Sequence, residues 1–117
     1  LKERSKRHPE HYERIYQGIG ALASSARVHL EKGELGAVGE LMDLNQGYLN
    51  ALGVSTPAIE ALCAIARERG ALGAKLSGAG GGGAVIALVD EDEAPVVRAF
   101  EAAGYAAFAT EIEESPA

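Results

Sequence analysis

Apolar residues recur every three or four positions through the first part of the chain, and this spacing predicts three amphipathic helices. On the first, the apolar face comprises Tyr12, Ile15, Tyr16, Ile19, Leu22, Ala23, Ala26 and Leu30. The predicted boundaries are an end near Gly33 for the first helix, Glu34 to Gly53 for the second, and Thr56 to Gly70 for the third. Thr56 is followed by Pro57, which is typical of an N-cap and the first helical position.

The pattern changes after the third predicted helix. A short extended stretch at residues 74–77 and an apolar stretch at residues 84–89 predict two strands, joined by the glycine-rich segment 78–83. A fourth helix is expected from about Pro95 to Gly104, and a last strand from Tyr105 to Ile112. Helices followed by short strands indicate an α+β fold, with the helices packed on one face of a small antiparallel sheet.

Composition narrows the class of protein. The chain has 117 residues, 47 % of them apolar, and a formal net charge of −6, which fits one soluble globular domain spanning residues 1–117. An acidic chain with no basic stripe and six aromatic residues argues against nucleic-acid binding. No unbroken apolar run exceeds six residues, so a membrane helix of about 20 residues is not expected.

Two further features concern cellular context. Cys63 is the sole cysteine, so no disulfide forms within the chain, which fits a reducing, cytoplasmic location. The chain begins with Leu1 and has no signal-peptide pattern, so we expect it to begin inside a longer protein.

The segment between the two predicted strands is the strongest candidate for function. It holds five glycines in residues 78–83, whereas a hairpin turn needs one or two. Each glycine costs about 0.5–1 kcal/mol of backbone entropy relative to alanine. Glycines let the backbone approach a ligand closely and turn its N–H groups toward an anion. These properties favour a binding loop over an unusually glycine-rich hairpin.

Two familiar phosphate-binding motifs do not fit this loop. The letters Gly78-x-Gly80-x-x-Gly83 match a dinucleotide fingerprint, but that fingerprint must open a helix, and here an apolar strand follows. A P-loop also fails, because no Gly-Lys-Ser/Thr follows the glycines.

The chain does resemble a known family at this point. Residues 70–83, GALGAKLSGAGGGG, followed by an apolar strand, resemble the third conserved motif of the GHMP small-molecule kinases. Residues 41–57, LMDLNQGYLNALGVSTP, look like the form of this region found in the mevalonate kinases. The resemblance runs from about His8 to Val89, and less distinctly to the C-terminus. Ala84 stands where these kinases commonly have cysteine, which puts no chemistry in doubt.

The resemblance implies a ferredoxin-like C-terminal domain whose first strand lies upstream of Leu1. It implies that an N-terminal half of the same protein supplies the catalytic groups and binds most of the ATP and Mg²⁺. No catalytic residue is assigned to this chain. The residues expected to close on the phosphates and the acceptor are Ser77, Gly78, Ala79, Gly80, Gly81 and Gly82.

The function implied is that of a mevalonate kinase C-terminal domain. The parent enzyme would transfer the γ-phosphoryl group of ATP to the primary hydroxyl of mevalonate, a step of isoprenoid synthesis. The expected partners are this small-molecule substrate and the N-terminal domain, and a homodimer is left open. Three alternatives stay open: phosphomevalonate or another GHMP kinase, a free-standing metabolite-binding regulatory module, and an interaction domain.

Other polar residues have simpler interpretations. His8, His11 and His29 do not have the spacing of a metal site. The acidic run 90–93 is interpreted as a solvated turn before a helix, and residues 20–26 as a helix interior despite a faint likeness to a phosphate loop.

Three polar residues near the loop are less decided. Lys75 is interpreted equally well as a phosphate contact and as a solvent-facing side chain. For Asn45 and Gln46 a structural role, tying helix to loop, is slightly favoured over a place in the cleft. Cys63 is expected to be a small core residue.

Overall fold

The computed structural model describes residues 6–77 and 84–111. Four helices and two strands follow one another in the predicted order. They are α1 (Pro9–Glu31), α2 (Leu35–Ala51), α3 (Pro57–Glu68), β1 (Gly73–Ser77), β2 (Ala84–Leu88) and α4 (Ala94–Ala102). In the described residues no helix is long and apolar enough to cross a membrane.

Each helix ends where a glycine follows it, as predicted. The four glycines have positive φ angles, a conformation that an L side chain rarely adopts. The angles are 73° at Gly33, 80° at Gly53, 102° at Gly70 and 94° at Gly104. The predicted N-cap of α3 is also present, because Thr56 Oγ1 accepts a hydrogen bond from the Ile59 N–H at 3.2 Å.

The two strands form an antiparallel hairpin with one face on the core. Ala74 lies opposite Ala87 and Leu76 opposite Val85, and these side chains face α3 and α4. Lys75 and Ile86 are opposite each other on the second face. The buried core cluster consists of Ile59, Cys63, Ala66, Ala74, Leu76 and Val96. The α+β architecture and the burial of Cys63 are therefore confirmed.

The predicted last strand is wrong over the part that can be compared. Residues 105–111 follow α4 without joining a sheet, and Ile112 lies outside the described residues. The Phe108 side chain is 88 % exposed, so it packs on no core. Three of these seven residues are alanine, which strands disfavour, and among the described residues no neighbouring strand offers backbone partners.

Helix α2 approaches strand β1 unusually closely. A Cβ atom at Gly39 would overlap the carbonyl group of Leu72, and one at Gly73 would overlap the carbonyl group of Gly39. The obstacles are backbone atoms, which cannot rotate aside as a side chain can. Helix and strand therefore touch through two glycines, backbone against backbone.

Helix α1 packs on the other side of α2. At their crossing, Gly18 lies beneath the Tyr48 ring, with a Cβ position 3.0 Å from Tyr48 Cζ. The layers thus run from α1 to α2, then to the hairpin, then to α3 and α4.

Gly39→Ala should lower the free energy of unfolding by about 2–3 kcal/mol, because overfilling a packed contact costs this much. Gly47→Ala is the matched control on the same helix, since its Cβ would meet nothing within 4 Å. The control should raise stability by about 0.5–1 kcal/mol through helix propensity. Urea unfolding of both variants measures the difference, and equal stabilities would contradict the close contact.

Candidate functional site

The outer edge of β1 leads into the predicted binding loop. The N–H groups of Ala74 and Leu76 point away from β2, toward α2. A buried N–H without a partner costs about 1–3 kcal/mol, so this edge needs hydrogen-bond acceptors. Side chains of α2 supply them.

Gln46 accepts a hydrogen bond from the end of the β1 edge that lies nearest the loop. Its Oε1 accepts a hydrogen bond from the Leu76 N–H at 2.7 Å. Its Nε2 donates to Ser55 Oγ at 2.9 Å and lies 3.4 Å from Glu60 Oε1. The side chain is fully buried. The structural role favoured for Gln46 from the sequence is thus confirmed by its contacts with the strand.

Asp43 accepts a hydrogen bond from the same edge two residues earlier, at Ala74. Its Oδ1 accepts from the Ala74 N–H at 3.0 Å and from Arg67 Nε at 2.7 Å. Arg67 Nη2 in turn donates to the Ala74 carbonyl at 3.1 Å. Sequence analysis missed both residues. The available signal was that Asp43 and Gln46 stand three positions apart, and therefore share one face of a helix.

The predicted binding residues are only partly within the described chain. Ser77 ends β1, half-buried, opposite Ala84 of β2. Gly78, Ala79, Gly80, Gly81 and Gly82 lie outside the described residues. Lys75 shares a face of β1 with Ser77 and is half-buried, and within the described chain its side chain has no hydrogen bond or ion pair.

The remaining candidates lie away from this edge. His8 and His11 are exposed on or beside the first turn of α1, and His29 Nδ1 lies 3.1 Å from Glu34 Oε1 at the α1–α2 turn. Residues 90–93 form an exposed turn, where Asp92 Oδ1 accepts from the Ala94 N–H at 3.0 Å. In residues 6–77 and 84–111, no three His, Cys, Asp or Glu side chains are placed to hold a metal ion. The exposure of residues 90–93 confirms the interpretation of the acidic run as a solvated turn.

Two buried groups complete the description. Burial raises the pKa of the Cys63 thiol, while the nearby Arg67 guanidinium acts in the opposite direction. The thiol therefore stays protonated at neutral pH and behaves as an apolar core group. Asn45 is buried beside Gln46, and its Oδ1 has no hydrogen-bond partner in the described part of the chain.

Comparison with known proteins agrees with this architecture. The family described as GHMP kinases C terminal matches residues 26–107. The chain therefore belongs to this family, as its glycine-rich motif indicates.

Several similar proteins are mevalonate kinases. That of Pyrococcus horikoshii is 40 % identical over 109 residues, which cover 89 % of this chain and 32 % of the relative. That of Thermococcus gammatolerans is 42 % identical over 109 residues, covering 89 % and 33 %. The crystal structure of L. major mevalonate kinase in complex with R-mevalonate matches with a TM-score of 0.77 and 34 % identity, covering 86 % of this chain and 32 % of that one. The chain thus spans about a third of the length of these relatives.

Asp43→Ala should lower the free energy of unfolding by about 1–3 kcal/mol, because it leaves the Ala74 N–H without its acceptor. Glu40→Ala, on the exposed side of the same helix, is the control and should change stability by less than about 0.5 kcal/mol. Thermal and urea unfolding of both variants test the contact. Equal effects of the two substitutions would show that Asp43 does not stabilise the strand edge.

Proposed function

We propose that the chain is the C-terminal domain of an ATP-dependent mevalonate kinase, which phosphorylates the primary hydroxyl of mevalonate. The observation that carries the proposal is the placement of Ser77. It ends a strand anchored by buried side chains, immediately before five glycines, in a chain homologous to mevalonate kinases. A rigid strand that leads into a glycine-rich segment suits the positioning of phosphate groups.

In this proposal the chain positions the reactants and contributes no proton-transfer group. Phosphoryl transfer depends mainly on alignment and on neutralising charge that develops on the phosphoryl oxygens. Ser77 and the glycine segment 78–82 supply a hydroxyl group and backbone N–H groups on the phosphate side. When ATP and Mg²⁺ are bound, the ion offsets phosphate charge. We assign their main binding groups to the N-terminal half of the protein.

In the same proposal, the N-terminal half of the protein supplies a strand that pairs with β2. Side chains close the outer edge of β1, whereas within the described residues no strand pairs with the outer edge of β2. An open edge favours addition of another strand. We therefore place the first strand of the ferredoxin-like sheet beside β2.

The decisive experiment is a kinase assay of the full-length protein that contains residues 1–117. With ATP, we expect phosphorylation of mevalonate and little turnover of phosphomevalonate or galactose. Residues 1–117 purified alone should show no turnover, because the catalytic groups are assigned to the other half. Preference for phosphomevalonate or galactose would replace the proposal with another GHMP kinase. Turnover by the purified fragment would refute the division of labour.

Ala79→Val tests the acceptor side of the loop. In the full-length enzyme the branched side chain should intrude on the mevalonate pocket, so the KM for mevalonate should rise more than the KM for ATP. Ala79→Gly is the control, since it adds no bulk. Steady-state kinetics with each substrate varied in turn give both constants. Equal increases in the two constants would indicate general distortion of the loop.

A further inference from the structure

We propose that Gln46 is a positioning residue for Ser77, and that its carboxamide sets where the strand enters the phosphate-binding loop. The inference rests on the proposed kinase function, because Ser77 gains its role there. Gln46 itself touches no substrate in this scheme. It acts through the backbone of Leu76, the residue next to Ser77 in β1.

The contacts of Gln46 leave its carboxamide one orientation. The Leu76 N–H can only donate, so the oxygen must face the strand, at 2.7 Å. Glu60 Oε1 is an acceptor, so the nitrogen must face α3, at 3.4 Å. Ser55 Oγ, 2.9 Å from the nitrogen, fixes the side chain from a third direction. A side chain held by β1, by α3 and by the connection between α2 and α3 cannot shift without breaking a hydrogen bond.

Leu76 is held in two directions at once. Its side chain is 4 % exposed and belongs to the core beneath the sheet. Its N–H is held from the strand edge by Gln46. The planar peptide that follows transmits this position directly to Ser77. Ser77 is paired with Ala84 across the hairpin, and Leu76 is the last residue of β1 whose backbone is held from α2, so the Gln46 contact adds a second constraint on Ser77 from the opposite side of the strand.

Asp43 provides the natural comparison. It offers a side-chain oxygen to another N–H of the same strand edge, from the same face of α2. That N–H belongs to Ala74, three residues before Ser77, whereas Leu76 is adjacent to it. Both contacts stabilise the hairpin, but only the Gln46 contact is expected to control the loop entrance. Loss of stability and loss of catalysis can therefore be separated.

The experiment compares Gln46→Met, Gln46→Glu and Asp43→Ala in the full-length enzyme. Methionine preserves the length and packing of the side chain but removes the acceptor. Glutamate retains an oxygen for the Leu76 N–H, loses the donor, and places a carboxylate beside Glu60. For each protein, kcat and both KM values are measured with ATP and mevalonate, together with the melting temperature. Hydrogen exchange of the Leu76 amide reports the contact itself.

We expect Gln46→Met to lower kcat about 10–100-fold with small changes in KM, since misplacement by about 1 Å can cost about 10²-fold. Asp43→Ala should lose stability yet keep the wild-type kcat. Gln46→Glu should recover most of the lost kcat while melting lower than wild type. In this order kcat does not follow stability. A purely structural role of Gln46 would make kcat fall together with stability.

Several results would overturn the proposal. One is a kcat of Gln46→Met no lower than that of Asp43→Ala. Another is a kcat of Gln46→Glu as low as that of Gln46→Met. Should Gln46→Met fail to fold, the Gln46→Glu protein decides, because loss of its kcat with a protected Leu76 amide contradicts the scheme. A wild-type protein without mevalonate kinase activity would overturn the proposed function, and this inference with it.

Discussion

Helix α2 reaches the strand that leads into the glycine segment because Gly39 and Gly73 carry no side chains at the point where the two elements touch. At ordinary helix–strand separation, the short Asp43 side chain could not reach the backbone of β1. Close approach brings Asp43 and Gln46, on the next turns of the same helix, within hydrogen-bond distance of two strand N–H groups. The polar network of the edge thus depends on a steric condition that two glycines satisfy.

That network occupies the outer edge of β1, one of the two outer edges of the hairpin. A strand edge ordinarily exposes a row of unpaired backbone groups, which recruit further strands. Here the outer edge of β1 is filled by side chains, one of them the fully buried Gln46. The side chains of α2 therefore occupy the N–H groups with which a further strand would pair on this side of β1.

The same arrangement suits a domain whose proposed contribution is positional. Strand β1 is held from its core face by the packing of Ala74 and Leu76, and from its edge by hydrogen bonds. Ser77 is the last residue of this strand. The constraints on β1 therefore fix the point from which the glycine-rich segment continues.

Much of the fold is readable from the sequence alone. Apolar spacing predicts the helices, and Thr56-Pro57 predicts the start of α3. The glycines after the helices predict where they end, and the structure shows these glycines at positive φ. Such signals act within a few neighbouring residues. The glycine motif and residues 41–57 pointed to the family, which the family match confirms. The strand predicted at 105–112 failed over 105–111, because a strand needs a partner and local pattern does not supply one.

Tertiary structure decided which polar residues matter at the strand edge. Asp43 and Arg67 look in sequence like ordinary charged positions on helix surfaces, and they meet only because residues 24 positions apart converge on Ala74. Gly39 likewise looks like a weak point within a helix until the strand backbone is seen against it. Hydrogen bonds and close contacts between distant segments depend on three-dimensional distance. Sequence patterning reports only which face of an element a residue occupies.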